Sequence, residues 1–219
     1  MYFRSRAEAG RMLAEKLTQY STQNVTVIAL NPGGVIVGAQ IAMRIHASLV
    51  MLLTKDIVLP GESTAIATVS SDDVFTYNSM FSVGELEEMQ GDYRSYIEQM
   101  RMQNLHELHS LLGADGEINR DYLQRHIIIL TADGFQSGFS IDVAADFLKP
   151  VNSKKLIVAT PFATVPALDK IHMLADEIQC LDTIDNYMGT DHYYDDNTIP
   201  KTEELLKVIK NTPIHWQRS

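Results

Sequence analysis

The sequence predicts an α/β fold, a mainly parallel sheet flanked by helices, with a small lid or hood and a long helical insertion. Three observations predict it. Short, uniformly apolar runs rich in β-branched residues alternate with segments of helical period, the pattern of strands buried on both faces. Glycine-bearing turns join strand to helix at two places. The 219 residues are enough for one such domain and its core, so residues 1–219 read as a single domain, with 70–125 as lid and helical insertion.

Residues 3–20 set Phe3, Ala7, Leu13, Ala14, Leu17 and Tyr20 along one helical stripe, with Arg4, Arg6, Glu8, Arg11 and Lys16 mostly off it. They read as a surface helix packed on a larger body. After the polar break at 21–24, residues 25–30 form an apolar, β-branched run that reads as a buried strand. Asn31-Pro32-Gly33-Gly34 ends it, and residues 35–46 carry Val35, Val37, Ile41, Ala42 and Ile45 at helical spacing. A second apolar strand over 49–53 completes a βαβ unit, which implies parallel pairing. The turn at 60–63 leads into a strand over 65–69, and the polar, aromatic stretch 70–82 reads as a hairpin or lid. Residues 83–111, with Glu85, Glu87, Glu88, Asp92, Arg94, Glu98 and Arg101, read as a long and largely solvated helix. The sheet pattern resumes over 126–131 and runs through a second Gly turn into a helix over 139–147. A strand at 156–160, a helix at 166–175 and a short strand at 177–181 complete the series.

Lys plus Arg number 18 against 28 Asp plus Glu, a formal net charge of −10, which argues against a nucleic-acid or anionic-membrane binder because both need a basic field. No window approaches 18 uninterrupted apolar residues, so no membrane span is expected. The first residues lack the apolar core of a signal peptide, and one cysteine, Cys180, cannot form an internal disulfide; a reducing cytoplasm is the expected compartment. Cys180 lies in an apolar run without a basic neighbour and reads as a packed thiol.

Ligands of open α/β sheets bind beyond the carboxyl ends of the strands, where backbone N–H groups and helix N-termini face outward. Two turns here stand at such places: Asn31-Pro32-Gly33-Gly34, and Asp133-Gly134-Phe135-Gln136-Ser137-Gly138-Phe139-Ser140. The second is the better anion site, since Gly134 and Gly138 let the backbone curl and the hydroxyls of Ser137 and Ser140 add donors. It has neither the lysine of a nucleoside-triphosphate loop nor the glycine spacing of a dinucleotide fingerprint.

Ordered matches along almost the whole chain resemble the type I phosphoribosyltransferases, in particular the bacterial phosphoribosyltransferase-like group. Residues 3–17 are similar to the opening pattern Phe-x-Asp-Arg-x-x-Ala-Gly-x-x-Leu-Ala-x-x-Leu, with Ala9-Gly10, Leu13-Ala14 and Leu17 in place. Residues 29–38 resemble Ala-Leu-Pro-Arg-Gly-Gly-Val-Pro-Val-Ala, and Pro60-Gly61-Glu62 with Ala65-Ile66 resembles a Pro-Gly-x-x-Glu-x-Ala-Ile segment. Residues 132–140 resemble the signature loop Asp-Asp-Gly-x-Ala-Thr-Gly-x-Thr, and Val158-Ala159-Thr160-Pro161 matches the strand after it. The resemblance implies a Rossmann-like three-layer fold. It also implies a small phosphorylated ligand, phosphoribosyl pyrophosphate or a nucleotide, whose 5-phosphate is held by Gly134, Phe135, Gln136, Ser137 and Gly138, with Gly33 and Gly34 at the pyrophosphate turn. Asp133 is implied in catalysis and in organising Mg²⁺.

The departures fall on the parts that do chemistry. Ala132 replaces the first acid of the loop, Pro32 replaces the pyrophosphate-turn arginine, and Ser5 replaces an early aspartate. Binding of a ribose 5-phosphate group is therefore expected to survive better than phosphoribosyl transfer, and a nucleotide-sensing or structural role stands beside the enzyme. Family members often carry a cis peptide in the pyrophosphate turn, which makes Asn31–Pro32 a candidate for cis, against a trans proline that simply ends the strand. Lys55 is a candidate replacement for the missing cation. Tyr193 and Tyr194, in the acidic tail after Asp182, are candidates for stacking on a base. His106 and His109 read as a solvated helix face. Met89, Met100 and Met102 read as adaptable packing on a helix that is also a candidate homodimer surface.

Overall fold

A computed structural model describes residues 1–62, 64–112 and 118–211. In chain order its elements are β1 (Phe3–Ser5), α1 (Arg6–Lys16), β2 (Val25–Ala29), α2 (Pro32–Ile45), β3 (Ser48–Met51), β4 (Thr54–Val58), β5 (Ala65–Ser70), β6 (Phe75–Tyr77) and α3 (Val83–Leu112). Then come α4 (Arg120–Leu123), β7 (Ile127–Thr131), α5 (Phe139–Leu148), β8 (Lys155–Thr164), α6 (Val165–Leu174), β9 (Glu177–Ile184), β10 (Tyr194–Asp196) and α7 (Thr202–Asn211). The turn expected at 60–63 reaches Ser63, which lies outside the described residues.

The chain divides into two compact units. The first comprises Met1–Met51, Asn119–Gly138 and Pro150–Ser219, and the second Leu52–Ile118 and Phe139–Lys149. In the first unit five strands pair in the order β3-β2-β7-β8-β9, every pair parallel. β2 and β7 are buried at every position, as continuous apolar strands covered on both faces must be. The sheet grows outward from β2 to β3 on one side and through β7 to β9 on the other. Its strand order reverses between β2 and β7, the place where an open α/β sheet opens a crevice at the carboxyl ends of its strands. β1 and β10 form a separate two-stranded parallel sheet.

The second unit holds the antiparallel sheet β4-β5-β6, so the polar stretch after Ser70 is a hairpin as expected. This unit is wider than the 70–125 segment, because β4 pairs with β5 and because α5 meets β6 through Thr76 Oγ1, which donates to Asp146 at 2.7 Å. α3 is broken by non-helical dihedrals at Tyr93. Met89 and Met100 pack beside the cluster of Ile57, Leu59, Ile66, Ala67 and Ile97, whereas Met102 is exposed.

Several sequence expectations are corrected. Residues 3–5 are a strand rather than the start of a helix, because Ser5 accepts from the Glu8 N–H and caps a helix that begins at Arg6; α1 ends at Lys16. α2 begins at Pro32, with Asn31 as its cap: the Asn31 side chain accepts from the Gly34 N–H at 2.6 Å. The Asn31–Pro32 bond is trans, since no peptide among the described residues is cis. Asn31 is extended and Pro32 occupies the first helical turn, where a proline's missing N–H matters least. The strand expected over 49–53 stops at Met51, and the next residues enter the second unit. β8 runs on past Thr160 to Thr164, because Phe162, Ala163 and Thr164 continue the pairing with β9.

Candidate functional site

The loops that follow β2 and β7 flank the reversal of strand order, and both lie in the first unit. The backbones meet directly: the Leu30 N–H donates to the Thr131 carbonyl at 2.9 Å. Asp133, just beyond β7, is 4% exposed. Its Oδ1 accepts from Asn31 Nδ2 at 2.7 Å and its Oδ2 from Arg6 Nε at 2.7 Å. Both carboxylate oxygens are thus engaged, one by the cap residue of α2 and one by a guanidinium. A Cβ on Gly33 would stand 1.9 Å from Asp133 Oδ2 and 2.8 Å from Arg6 Nε, so only glycine lets the carboxylate lie on this turn. Gly34 is equally confined by Asn31 and by the backbone of Thr131 and Ala132.

Arg6 is the residue the sequence reading misplaced. It was set off the buried stripe of its helix, yet it is 2% exposed. Its Nη2 donates to Asp191 Oδ1 at 2.6 Å, and its guanidinium lies 4.5 Å over the Tyr194 ring. Burial alone would lower the Arg6 pKa, but the hydrogen bonds and charges of Asp133 and Asp191 outweigh it and raise it. The Tyr194 hydroxyl donates to the Asp133 carbonyl at 2.6 Å, and burial followed by the Asp133 charge pushes its phenol up. The available signal is the arginine of the Phe-x-Asp-Arg pattern, whose place Arg6 occupies; helical periodicity is a weak guide to it because Arg6 is the first residue of the helix.

The loop after Asp133 is tied to the end of β8. The Phe135 N–H donates to the Phe162 carbonyl at 3.1 Å, the Thr164 N–H to the Phe135 carbonyl at 2.9 Å, and Thr164 Oγ1 to the Gln136 carbonyl at 2.8 Å. Phe135 is buried and its amide is committed to β8, so it serves the loop as an anchor and not as a donor to a ligand. Gly134 lies against the Phe162 ring, 2.3 Å from where a Cβ would be. Gly138 lies under Lys170, whose Cδ would stand 1.7 Å from a Cβ there; no motif had drawn attention to this lysine. Gln136 is exposed and Ser137 half-buried. Ser140 falls in α5, in the second unit, and is not among the residues the first unit brings together. Ala132 is buried and packs against Gly34.

A cavity of about 330 Å³ opens at this place, lined among others by Arg6, Asn31, Pro32, Gly33, Asp133 and Asp191. The volume falls within the range of small-molecule sites. The donor set does not fit direct ligation of Mg²⁺: Asp133 already accepts on both oxygens, one of them from a cation, and Ala132 is its neighbour. Among the described residues no three His, Cys, Asp or Glu side chains converge to hold an ion.

The other candidates lie elsewhere. Tyr193 and Tyr194 are not stacking platforms. Both are buried with Phe3 and Phe162, because the ring faces that a base would need are used by the core. Lys55 pairs with Glu107 within the second unit. His106 and His109 are exposed on α3, and His109 Nε2 meets the Ser71 carbonyl at 2.9 Å. Cys180 is half-buried and burial pushes its thiol up, away from reactivity. Among the described residues no helix is long and apolar enough to cross a membrane.

No family profile matches the sequence. Proteins from two strains of Mycobacterium tuberculosis, provisionally named phosphoribosyl transferases, are each 25% identical over 208 residues, 94% of this chain but 46% of their own length. The chain therefore spans about half of these relatives. In structure it matches TT1426 from Thermus thermophilus with a TM-score of 0.73 and 21% identity, covering 97% of this chain and 99% of that one. Over nearly its full length the chain is thus similar in sequence to proteins named for phosphoribosyl transfer, and its mainly parallel α/β fold is similar to that of TT1426.

Proposed function

We propose that the protein binds the ribose 5-phosphate group of phosphoribosyl pyrophosphate or of a nucleotide, and that it is a binding or sensing module with little or no transferase activity. The observation that carries this reading is the 330 Å³ cavity at the reversal of strand order, walled by the turn after β2 and by Asp133 at the head of the loop after β7. In this reading the loop that follows Asp133 supplies the phosphate contacts through Gly134, Gln136, Ser137 and Gly138, and Gly33, beside Gly34 in the turn after β2, lines the cavity. The weakness of transfer follows from the residues present. Pro32 brings neither charge nor N–H, Ala132 brings no carboxylate, and Asp133 is held by Arg6 and Asn31. Each missing donor or charge removes about 2.7–4 kcal/mol of transition-state stabilisation by the usual measure. Mg²⁺ enters this reading as a companion of the ligand's own phosphates.

Calorimetry with phosphoribosyl pyrophosphate, AMP and GMP, with and without Mg²⁺, tests it alongside a pyrophosphate-release assay. Heat of binding without release of pyrophosphate is expected, and Ser137→Glu abolishes the binding by setting a carboxylate against the phosphate. No heat with any of the three ligands overturns the reading. A second reading, transfer itself, draws on the names of the relatives, and turnover in the release assay would establish it.

A further inference from the structure

Arg6 is held by two carboxylates of different kinds. The Asp133 side chain is 5% exposed and is part of the buried frame, whereas the Asp191 side chain is 66% exposed and reaches Arg6 Nη2 from the solvent side. The third nitrogen, Nη1, is buried and has no hydrogen-bond partner among the described residues. A buried N–H group without an acceptor is uncommon, and here it belongs to a guanidinium on the wall of a cavity. Nη1 and Nη2 form the edge of the guanidinium that matches two oxygens of a phosphate, and Asp191 uses only half of it. The local charge also decides the matter. Arg6 is balanced by Asp133 alone, so with Asp191 added the trio carries one net negative charge, and a phosphate could not join it without displacing Asp191.

We propose that Asp191 is an internal stand-in for the ligand. A phosphoryl oxyanion of the bound molecule, phosphate or pyrophosphate, takes the Nη1–Nη2 edge of Arg6 when Asp191 turns out into solvent. Arg6 is then the cation of the site, in the place where Pro32 provides none. Release requires only that an exposed aspartate change rotamer. Tyr193 and Tyr194, which follow it, stay packed in the core, and Gly189 before it has positive φ with open space around it. The inference rests on the proposed ligand class and adds to it the residue that reads the anion and the residue that competes.

The test is calorimetric titration of inorganic pyrophosphate and of phosphoribosyl pyrophosphate into the wild-type protein, Asp191→Asn and Asp195→Asn. Asp195 is an exposed acid of the same tail, so its substitution removes the same charge without touching Arg6. Asp191→Asn is expected to bind both ligands about tenfold more tightly than wild type, and Asp195→Asn less than twofold more tightly. Arg6→Lys in the Asp191→Asn background keeps the charge, loses the fork and returns the affinity toward wild type. Wild-type binding that Asp191→Asn leaves unchanged or weakens overturns this inference alone. Absence of binding in every variant overturns it together with the proposed function.

Discussion

In the first unit β2 and β7 are buried at every residue, and the ion pair at their carboxyl ends is buried with them. In the second unit β4 alternates toward solvent, and its pairs, Lys55–Glu107 and Arg101–Asp73, stand partly exposed. A parallel sheet covered on both faces leaves only its strand ends for polar groups, and a charge placed there is desolvated and must be matched. A hairpin with one wet face can carry charges anywhere, at little gain or loss. The same residue types therefore form a buried, matched cluster in one unit and surface pairs in the other.

The largest break in that contrast comes from removing an arginine in each unit. Arg6→Met leaves Asp133 buried and unpaired and is expected to cost about 3–5 kcal/mol of stability, whereas Arg101→Met should cost less than about 1 kcal/mol; urea denaturation followed by circular dichroism measures both. Equal losses would erase the distinction. A glycine pair comes next. Gly33→Ala forces Asp133 and Arg6 aside, with an expected loss of about 1–3 kcal/mol and of ligand binding. Gly91→Ala, in open space on α3, should stabilise by about 0.5–1 kcal/mol in the same assay.

Tyrosine titration sharpens the comparison further. Burial first, then the Asp133 charge, raise the Tyr194 pKa above its ordinary value, so the folded protein holds that proton more tightly than the unfolded chain. Its stabilisation is complete below about pH 10 and declines as pH rises above that. In unfolding measurements between pH 8 and 11.5, Tyr194→Phe should flatten the alkaline decline more than Tyr77→Phe, whose phenol is raised by burial and Glu98 but eased by Arg101. At neutral pH, Tyr194→Phe also strands the Asp133 carbonyl, for a loss of about 1–3 kcal/mol. The smallest effect belongs to Lys55→Met, under about 1 kcal/mol and shrinking further in 1 M salt.

Most strands and the two Gly turns were legible along the chain, because strand and helix periods are local properties and a turn is written in a few adjacent residues. The ends of elements were less so. Ser5 and Asn31 each set a helix start through a side-chain cap, and that competition is decided by geometry over three residues. Tyr193 and Tyr194 looked available for a ligand because an aromatic in an acidic stretch gives no sign of the Phe3 and Phe162 rings waiting for it.

By itself the sequence determined the α/β class, the parallel βαβ beginning and the pair of loops that had to lie at the carboxyl edge of the sheet. Set against the pattern it resembles, it also shows Pro32 where that pattern has an arginine and Ala132 where it has an acid. Only the tertiary structure decided which charges meet at that edge. Arg6 meets Asp133 across 127 residues and Asp191 across 185, and no periodicity or spacing reaches so far. The choice of partners was made when folding buried a guanidinium at the strand ends, where the low dielectric requires every charge to find its counter-charge.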